Sequence, residues 1–319
     1  MDEFSLIERY FSQPAAAQSA QRLALGIGDD CALISLPEQC DLVFSIDTMV
    51  ESVHFPEDAE PENVAWRLLG ASVSDLAAMG ARAHSFTLAL TLPQRDELWL
   101  EGFSRGLFDA AKRYDIALAG GDTTRGPLTL SAQVQGVVPR GEALLRSGAG
   151  TGDGIYVTGC LGDSRAGLSL LASAVSNAHQ SYLLERYYRP APRLQSGEFI
   201  RPFASACIDV SDGLLADLGH ILKRSGCGAV LYADKLPLSA ALLATNPTSA
   251  IDWALSGGED FELCFCVPAE QRAAFEQASI SQAVNITGIG EITSEAGIVL
   301  HRDGMATNVV PSGYKHFEG

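Results

Sequence analysis

The sequence predicts an α/β mixed (α+β) protein of two domains. Three observations carry this reading. Segments of strand period and of helix period are interleaved along the chain. A stretch rich in glycine and charge, "PRGEALLRSGAGTGDG" (139–154), falls near the middle. Each half contains a strand that ends in aspartate with small residues after it, Asp47 in one and Asp209 in the other. With 319 residues, 47% of them hydrophobic, the chain can bury two cores. The domains are expected at 1–138 and 139–319.

In the first half, "DLVFSID" (41–47) reads as an apolar strand ending at Asp47. "PENVAWRLLGASVSDLAAMG" (61–80) reads as a helix, with Pro61 suited to a first turn and Gly80 to a stop. Val64, Leu68, Ser72, Asp75, Leu76 and Met79 fall three or four apart, so Asp75 shares a stripe with core residues. "SFTLALTL" (85–92) and "LTLSAQVQGVV" (128–138) alternate as strands with one buried face, and 96–114 reads as a second helix. The second half predicts a strand at 155–158, a helix over about 164–177 and a strand ending at Asp209. A helix from Gly213 to about Ser225 follows, stopped by Gly226, and "GAVLYAD", "FELCFCV" and "NITGIGEI" supply further strands.

Composition excludes several classes. The formal charge is −17, from 39 acidic against 22 basic residues, and only four of the bases are lysines (Lys112, Lys223, Lys235, Lys315). Nucleic acid and anionic membrane surfaces both call for basic patches, and none is visible. No run approaches the roughly 18 apolar residues of a membrane-spanning helix. The start, "MDEFSLIERYF", is acidic and amphipathic, without a signal-peptide pattern. Seven cysteines (31, 40, 160, 207, 227, 264 and 266) show no Cys-x-x-Cys spacing. They read as reduced core thiols of a cytoplasmic protein, with Cys264 and Cys266 on one face of a strand.

The carboxylates carry the chemical signal. Each motif alone has a plain structural reading. "GIGDD" is ordinary turn chemistry, and Asp212 in "VSDGL" could be a helix N-cap. Asp75, on an inward stripe, is costly if unpartnered. Together, Asp30, Asp47, Asp75, Asp122, Asp209 and Asp212 stand at strand ends, helix starts or on that stripe. Converging carboxylates repel, and a hard dication such as Mg²⁺, Mn²⁺ or Ca²⁺ relieves them. With few lysines, metal ions rather than ammonium groups would neutralise a polyphosphate. No Walker A loop exists, since the chain has no Gly-Lys pair, and no Gly-x-Gly-x-x-Gly occurs. "HRDGMATN" (301–308) matches a protein-kinase catalytic loop in letters only, without the motifs that flank one, and reads as a turn between late strands.

"GIGDDCALI", "SIDTMVESVHF", "SDLAAMGA", "GGDTTRG", "DVSDGL" and "SGGEDFEL" follow one another as they do in thiamine-monophosphate kinases, and the chain resembles that family over nearly its whole length. These kinases belong to the aminoimidazole-ribonucleotide-synthetase-like superfamily. The resemblance implies transfer of the ATP γ-phosphoryl group to thiamine monophosphate. It also implies an N-terminal domain that pairs into a homodimer and a C-terminal α+β domain. It implies several Mg²⁺ ions held by Asp30, Ser45, Asp47, Asp75, Asp122, Asp209 and Asp212, with a main-chain contact at Ile46. ATP contacts map onto Gly121, Asp122, Arg146 and Ser211. Substrate contacts map onto His54, onto Glu259 or Asp260, and onto Tyr314 and Phe317. At 46 relatives often carry Thr, so here only the backbone could serve.

The residue types suit that reaction. A phosphate monoester with a second pKa of about 6 is largely dianionic at neutral pH and needs no general base. No convincing Ser-His or Asp-His base pair is present, and none acts as a nucleophile. Aromatic faces suit a thiazolium cation, and a carboxylate suits an aminopyrimidine. Two alternatives stay open. One is another ATP-dependent enzyme of the superfamily, although no Lys or Cys precedes Gly26, against selenophosphate synthesis, and the chain ends "HFEG", against hydrogenase maturation. The other is a non-catalytic acidic metal-binding protein, for which no EF-hand spacing exists.

Overall fold

The computed structural model describes residues 3–15 and 23–313. The chain divides into two compact units, Met1–Leu76 with Ala81–Gly141, and Ala77–Gly80 with Glu142–Gly319. Both mix helix and strand, as the α+β reading requires.

The first unit holds a four-stranded sheet: β1 (Cys40–Val50), β2 (Arg82–Leu92), β3 (Ala117–Arg125) and β4 (Thr129–Pro139), in the order β1-β4-β2-β3. β4 runs antiparallel to both β1 and β2, and β3 lies parallel to β2. The alternation read from the sequence is the burial pattern observed: Phe86, Leu88, Leu90 and Leu92 of β2 and Leu130, Ala132 and Val134 of β4 are buried. β1 continues three residues past Asp47, to Val50, because its ladder with β4 extends to Thr129.

A short helix, α1 (Glu3–Ile7), leads into a π-turn. The two long helices are α2 (Pro61–Ala78) and α3 (Glu97–Tyr114). Pro61 opens α2, and Gly80 follows its end in the left-handed region at φ 65°. Asp96 caps α3, its carboxylate accepting from Leu98 N and Trp99 N. Leu68, Leu69 and Leu76 of α2 and Leu100, Phe103 and Leu107 of α3 are fully buried. The opposite face of β1 is bare: Leu42, Phe44 and Ile46 are 42%, 67% and 62% exposed.

The second unit holds a seven-stranded mixed sheet. Its strands are β5 (Gly154–Thr158), β6 (Ala206–Asp209), β7 (Gly228–Tyr232), β8 (Leu263–Val267), β9 (Ile286–Thr293), β10 (Gly297–Arg302) and β11 (Met305–Val309), in the order β11-β10-β7-β9-β5-β8-β6. β5 and β8 are buried along their whole length because both sheet faces are covered. Ile155, Val157, Cys264 and Cys266 pack on one side with Leu214, Leu218 and Ile221. Tyr156, Cys207, Phe265 and Phe275 pack on the other. Cys264 and Cys266 are thus core residues, and the seven cysteines are free thiols.

The helices of this unit are α4 (Asp163–Ser169), α5 (Ala178–Tyr188), α6 (Leu194–Ile200), α7 (Leu214–Ser225), α8 (Ala240–Thr245), α9 (Ala250–Ser256) and α10 (Arg272–Ser281). The helix expected over 164–177 is shorter. It stops at Ser169, and turns at Leu170 and Ser173 lead to Asn177, whose side chain caps α5 by accepting from Gln180 N. α7 ends as expected at Gly226, in the left-handed region. "HRDGMATN" is the β10–β11 hairpin, with Asp303 and Gly304 both at positive φ. Among the described residues, no helix is long and apolar enough to cross a membrane.

Candidate functional site

In the first unit the site begins with the alternation of β1. Phe44 and Ile46 take the outer face, so Ser45 and Asp47 take the face toward α2. Ser72 and Asp75 are one helical turn apart and share a face of α2. The Ser45 hydroxyl donates to Asp75 Oδ2 in a short hydrogen bond. Ser72, whose hydroxyl donates to Leu68 O at 3.0 Å, stands beside Asp47. Burial, followed by the charge of Asp75, raises the Asp47 carboxyl to about 6, with the nearby Ser72 hydroxyl opposing. Two carboxylates and two hydroxyls thus meet across one strand and one helix. Ile46, with its side chain outward, can offer this face only its backbone.

Asp122 stands exposed on β3, opposite Ala89 of β2. The residue before it must be glycine: a Cβ on Gly121 would lie 2.1 Å from the Leu88 carbonyl oxygen. A cavity of about 50 Å³ opens beside these two residues, walled by Ile7, Phe11, Ile27 and Leu118. Asp30 is exposed in the turn after Gly28, whose φ is 128°, and its N–H donates to Asp29 Oδ1. Among the described residues no three Asp, Glu, His or Cys side chains stand close enough to share a metal.

His54 lies in the turn that follows β1. Its backbone N–H donates to Val50 O at 2.9 Å, and its Nδ1 accepts the Val50 N–H at 3.0 Å. A neutral imidazole whose Nδ1 accepts must carry its proton on Nε2. Arg67, 1% exposed, donates Nε–H to the His54 carbonyl from α2. His54 is therefore held by a strand on one side and a buried guanidinium on the other.

In the second unit, Asp209 ends β6, 3% exposed and opposite Leu263 of β8. The turn 210–213 leads into α7 and carries the half-buried Ser211 and Asp212. Asp212 is not the N-cap of α7. That position belongs to Gly213, at φ 123°, and the turn's N–H groups go to Asp217. The Asp217 carboxyl is raised to about 7, by burial first and then by the charge of Asp212. Arg146 is exposed.

Glu259 and Asp260 separate clearly. Asp260 is 2% exposed, and its two oxygens accept Gly162 N at 2.7 Å and Ser164 N at 3.2 Å. Its carboxyl is raised to about 7 by burial, against those two hydrogen bonds. Glu259 is half-buried at φ 60°, its N–H bonded to Ser211 O. Tyr314 and Phe317 lie outside the described residues.

Sequence reasoning missed two groups here. One is Asp217. The other is Glu262, fully buried, which accepts from Arg193 Nε and Nη2 at 2.6 and 2.5 Å, from Arg186 at 3.0 Å and from Thr158 at 2.6 Å. Arg186 also donates to the Asp260 carbonyl, so this ionic network braces the "GGED" turn. The arginines come from residues 186 and 193, in a stretch without any motif.

Two family models match the chain: AIR synthase related protein, N-terminal domain, over residues 28–138, and AIR synthase related protein, C-terminal domain, over 150–303. The thiamine-monophosphate kinase of Escherichia coli (strain K12) is 49% identical over 320 residues, covering 99% of this chain and 98% of that protein. The crystal structure of thiamine-monophosphate kinase from Stenotrophomonas maltophilia K279a superposes with a TM-score of 0.87 at 45% identity, covering 96% of this chain and 98% of that one. A structure described as AaThiL complexed with AMPPCP and TMP gives a TM-score of 0.79 at 32% identity, over 99% and 97% of the two chains. The chain belongs to the thiamine-monophosphate kinase family, built from the two AIR synthase related domains.

Proposed function

We propose that the chain transfers the γ-phosphoryl group of ATP to thiamine monophosphate, giving thiamine diphosphate, the final step in making that cofactor. The observation that carries this reading is similarity from end to end with thiamine-monophosphate kinases, in a chain that gathers Ser45, Asp47 and Asp75 on one face.

The donor set fits Mg²⁺. Its atoms are all oxygen, and Asp47 is raised by burial and by Asp75, the situation a hard dication relieves. In this reading Asp30, Ser45, the main chain of Ile46, Asp47, Asp75, Asp122, Asp209 and Asp212 would hold the ions. Bound Mg²⁺ would offset the charge of the phosphates and stabilise a loose, metaphosphate-like transition state. Gly121, Asp122, Arg146 and Ser211 contact ATP. His54 offers an Nε2–H donor to the substrate. Glu259, rather than the buried Asp260, offers an acceptor to the aminopyrimidine. Tyr314 and Phe317 supply aromatic faces.

Transfer is direct and in line. The acceptor phosphate is already a nucleophile, so the chain's task is to orient two anions and exclude water. His54 is poorly suited to act as a base, because its Nδ1 is occupied by the Val50 N–H. The bare face of β1 supports a homodimer: Leu42, Phe44 and Ile46 form an apolar strip that a second copy would cover. The enzyme works in the cytoplasm in this reading, where ATP is available and free thiols persist.

Incubation with γ-labelled ATP, thiamine monophosphate and Mg²⁺ tests the reading. Label should appear in thiamine diphosphate, and a chelator should abolish it. Label released only as inorganic phosphate would overturn the assignment.

A further inference from the structure

Three successive backbone N–H groups converge on one carboxylate oxygen. Asp217 Oδ2 accepts from Ser211 N at 3.0 Å, Asp212 N at 3.0 Å and Gly213 N at 3.1 Å. The side chain is 2% exposed and stands in the first turn of α7. A nest of amides between a strand and a helix is the arrangement proteins use to hold phosphates and other anions. Here the chain occupies that nest with its own carboxylate, so these amides serve the turn and not a nucleotide.

The turn is fastened on its other edge too. Ser211 O accepts from Glu259 N at 2.7 Å, and Val210 exchanges hydrogen bonds with Glu262 O (2.7 Å) and Phe261 N (2.9 Å). Gly213 sits at φ 123°, and a Cβ there would lie 2.9 Å from the Ser256 carbonyl carbon. The three bonds to Asp217 Oδ2 hold the peptide planes of 211–213 from the helix side.

We propose that Asp217 is a positioning residue: it locks the 211–213 turn so that the Asp212 carboxylate and Ser211 are presented in one geometry to metal and nucleotide. The proposal rests on the reading of Asp212 as a metal ligand. Removing a group that orients a ligand from behind typically costs about 10–100-fold in metal affinity. Asn keeps an acceptor oxygen at this position, and Ala does not.

The test compares wild type with Asp217→Ala, Asp217→Asn, Asp212→Asn and the Asp212→Asn/Asp217→Ala double variant. Two readouts are taken on the full chain: amide hydrogen exchange at 211–213 without metal, and Mg²⁺ binding by calorimetry with a non-hydrolysable ATP analogue. In Asp217→Ala these amides should exchange faster, and Mg²⁺ half-saturation should rise about tenfold or more. Asp217→Asn should recover part of both effects. In the double variant, loss of Asp217 should add less than about twofold to the effect of Asp212→Asn, since the two act as one unit. A shift in Asp212→Asn with none in folded Asp217→Ala or Asp217→Asn would overturn the proposal alone. Unchanged Mg²⁺ binding in Asp212→Asn would overturn the ligand reading, and the proposal with it.

Discussion

The Val50 N–H donates to Nδ1 of His54 at 3.0 Å, and this one bond fixes which imidazole nitrogen carries the proton. The other nitrogen, Nε2, is then a donor. A donor suits a phosphate oxygen and does not suit proton abstraction. His54→Gln, which can still present an N–H at that distance, should keep kcat within about tenfold of wild type. His54→Ala should mainly raise KM for the acceptor. A loss of about 10²-fold or more in kcat at unchanged KM, the size usual for a general base, would show that His54 abstracts a proton.

Asp47→Asn and Asp122→Asn should each lower turnover by at least about 10²-fold while the fold persists, the usual cost of removing one electrostatic element of a transition state. The two should differ in stability without metal. Asp47 is half-buried beside Asp75, so neutralising it should raise the melting temperature in chelator. Asp122 is exposed, so its replacement should leave that temperature nearly unchanged. Near-native turnover in both variants would remove them from the ligand set.

Asp260 gives a pH signature. Burial raises its carboxyl from 3.8 to about 7, helped by Asp163 and opposed by Gly162 N, Ser164 N and Arg186. A folded-state pKa above the unfolded one contributes stability below about pH 4, and that contribution is lost as pH rises through 7. Asp260→Asn does not titrate. Wild type should therefore lose stability relative to Asp260→Asn between pH 5 and pH 8, read as the difference in melting temperature at each pH. A difference that does not move with pH, or that moves the other way, would show that Asp260 is ionised throughout.

Much of this was legible in the sequence, for identifiable reasons. The buried faces of β2 and β4 follow a period of two that survives folding unchanged, and Asp75 lands beside Ser45 because a 3.6-residue period carries it inward with Leu68 and Ser72. Asp217 was hidden because its role runs backward. In sequence it is a polar residue on an amphipathic helix, and only the folded turn brings three amides to it. Glu259 and Asp260 could not be told apart, because a turn with positive φ at Glu259 and Phe261 has no period to follow. The break between α4 and α5 was masked by the apolar letters Leu170, Leu171 and Ala172, which prolong a helical pattern past its end.

The outer face of β1 predicts its own partner. Phe44→Glu or Ile46→Glu would place a charge in the apolar strip proposed above as the dimer face. The parent chain should sediment as a dimer, and either variant as a monomer at the same concentration. Identical sedimentation of parent and both variants would exclude this face from the interface.

The most direct test of phosphate-to-phosphate transfer compares thiamine monophosphate with free thiamine as acceptors, by kcat/KM at saturating ATP and Mg²⁺. The primary hydroxyl of thiamine would need a base, and His54, with Nδ1 engaged by Val50, is not placed to be one. Thiamine also lacks the phosphate that the proposed metal and His54 contacts would hold, a loss worth about 10⁴-fold or more in specificity. Thiamine monophosphate should therefore be preferred by at least that factor. Comparable values for the two acceptors would mean that a hydroxyl is the nucleophile and would contradict direct transfer between phosphates.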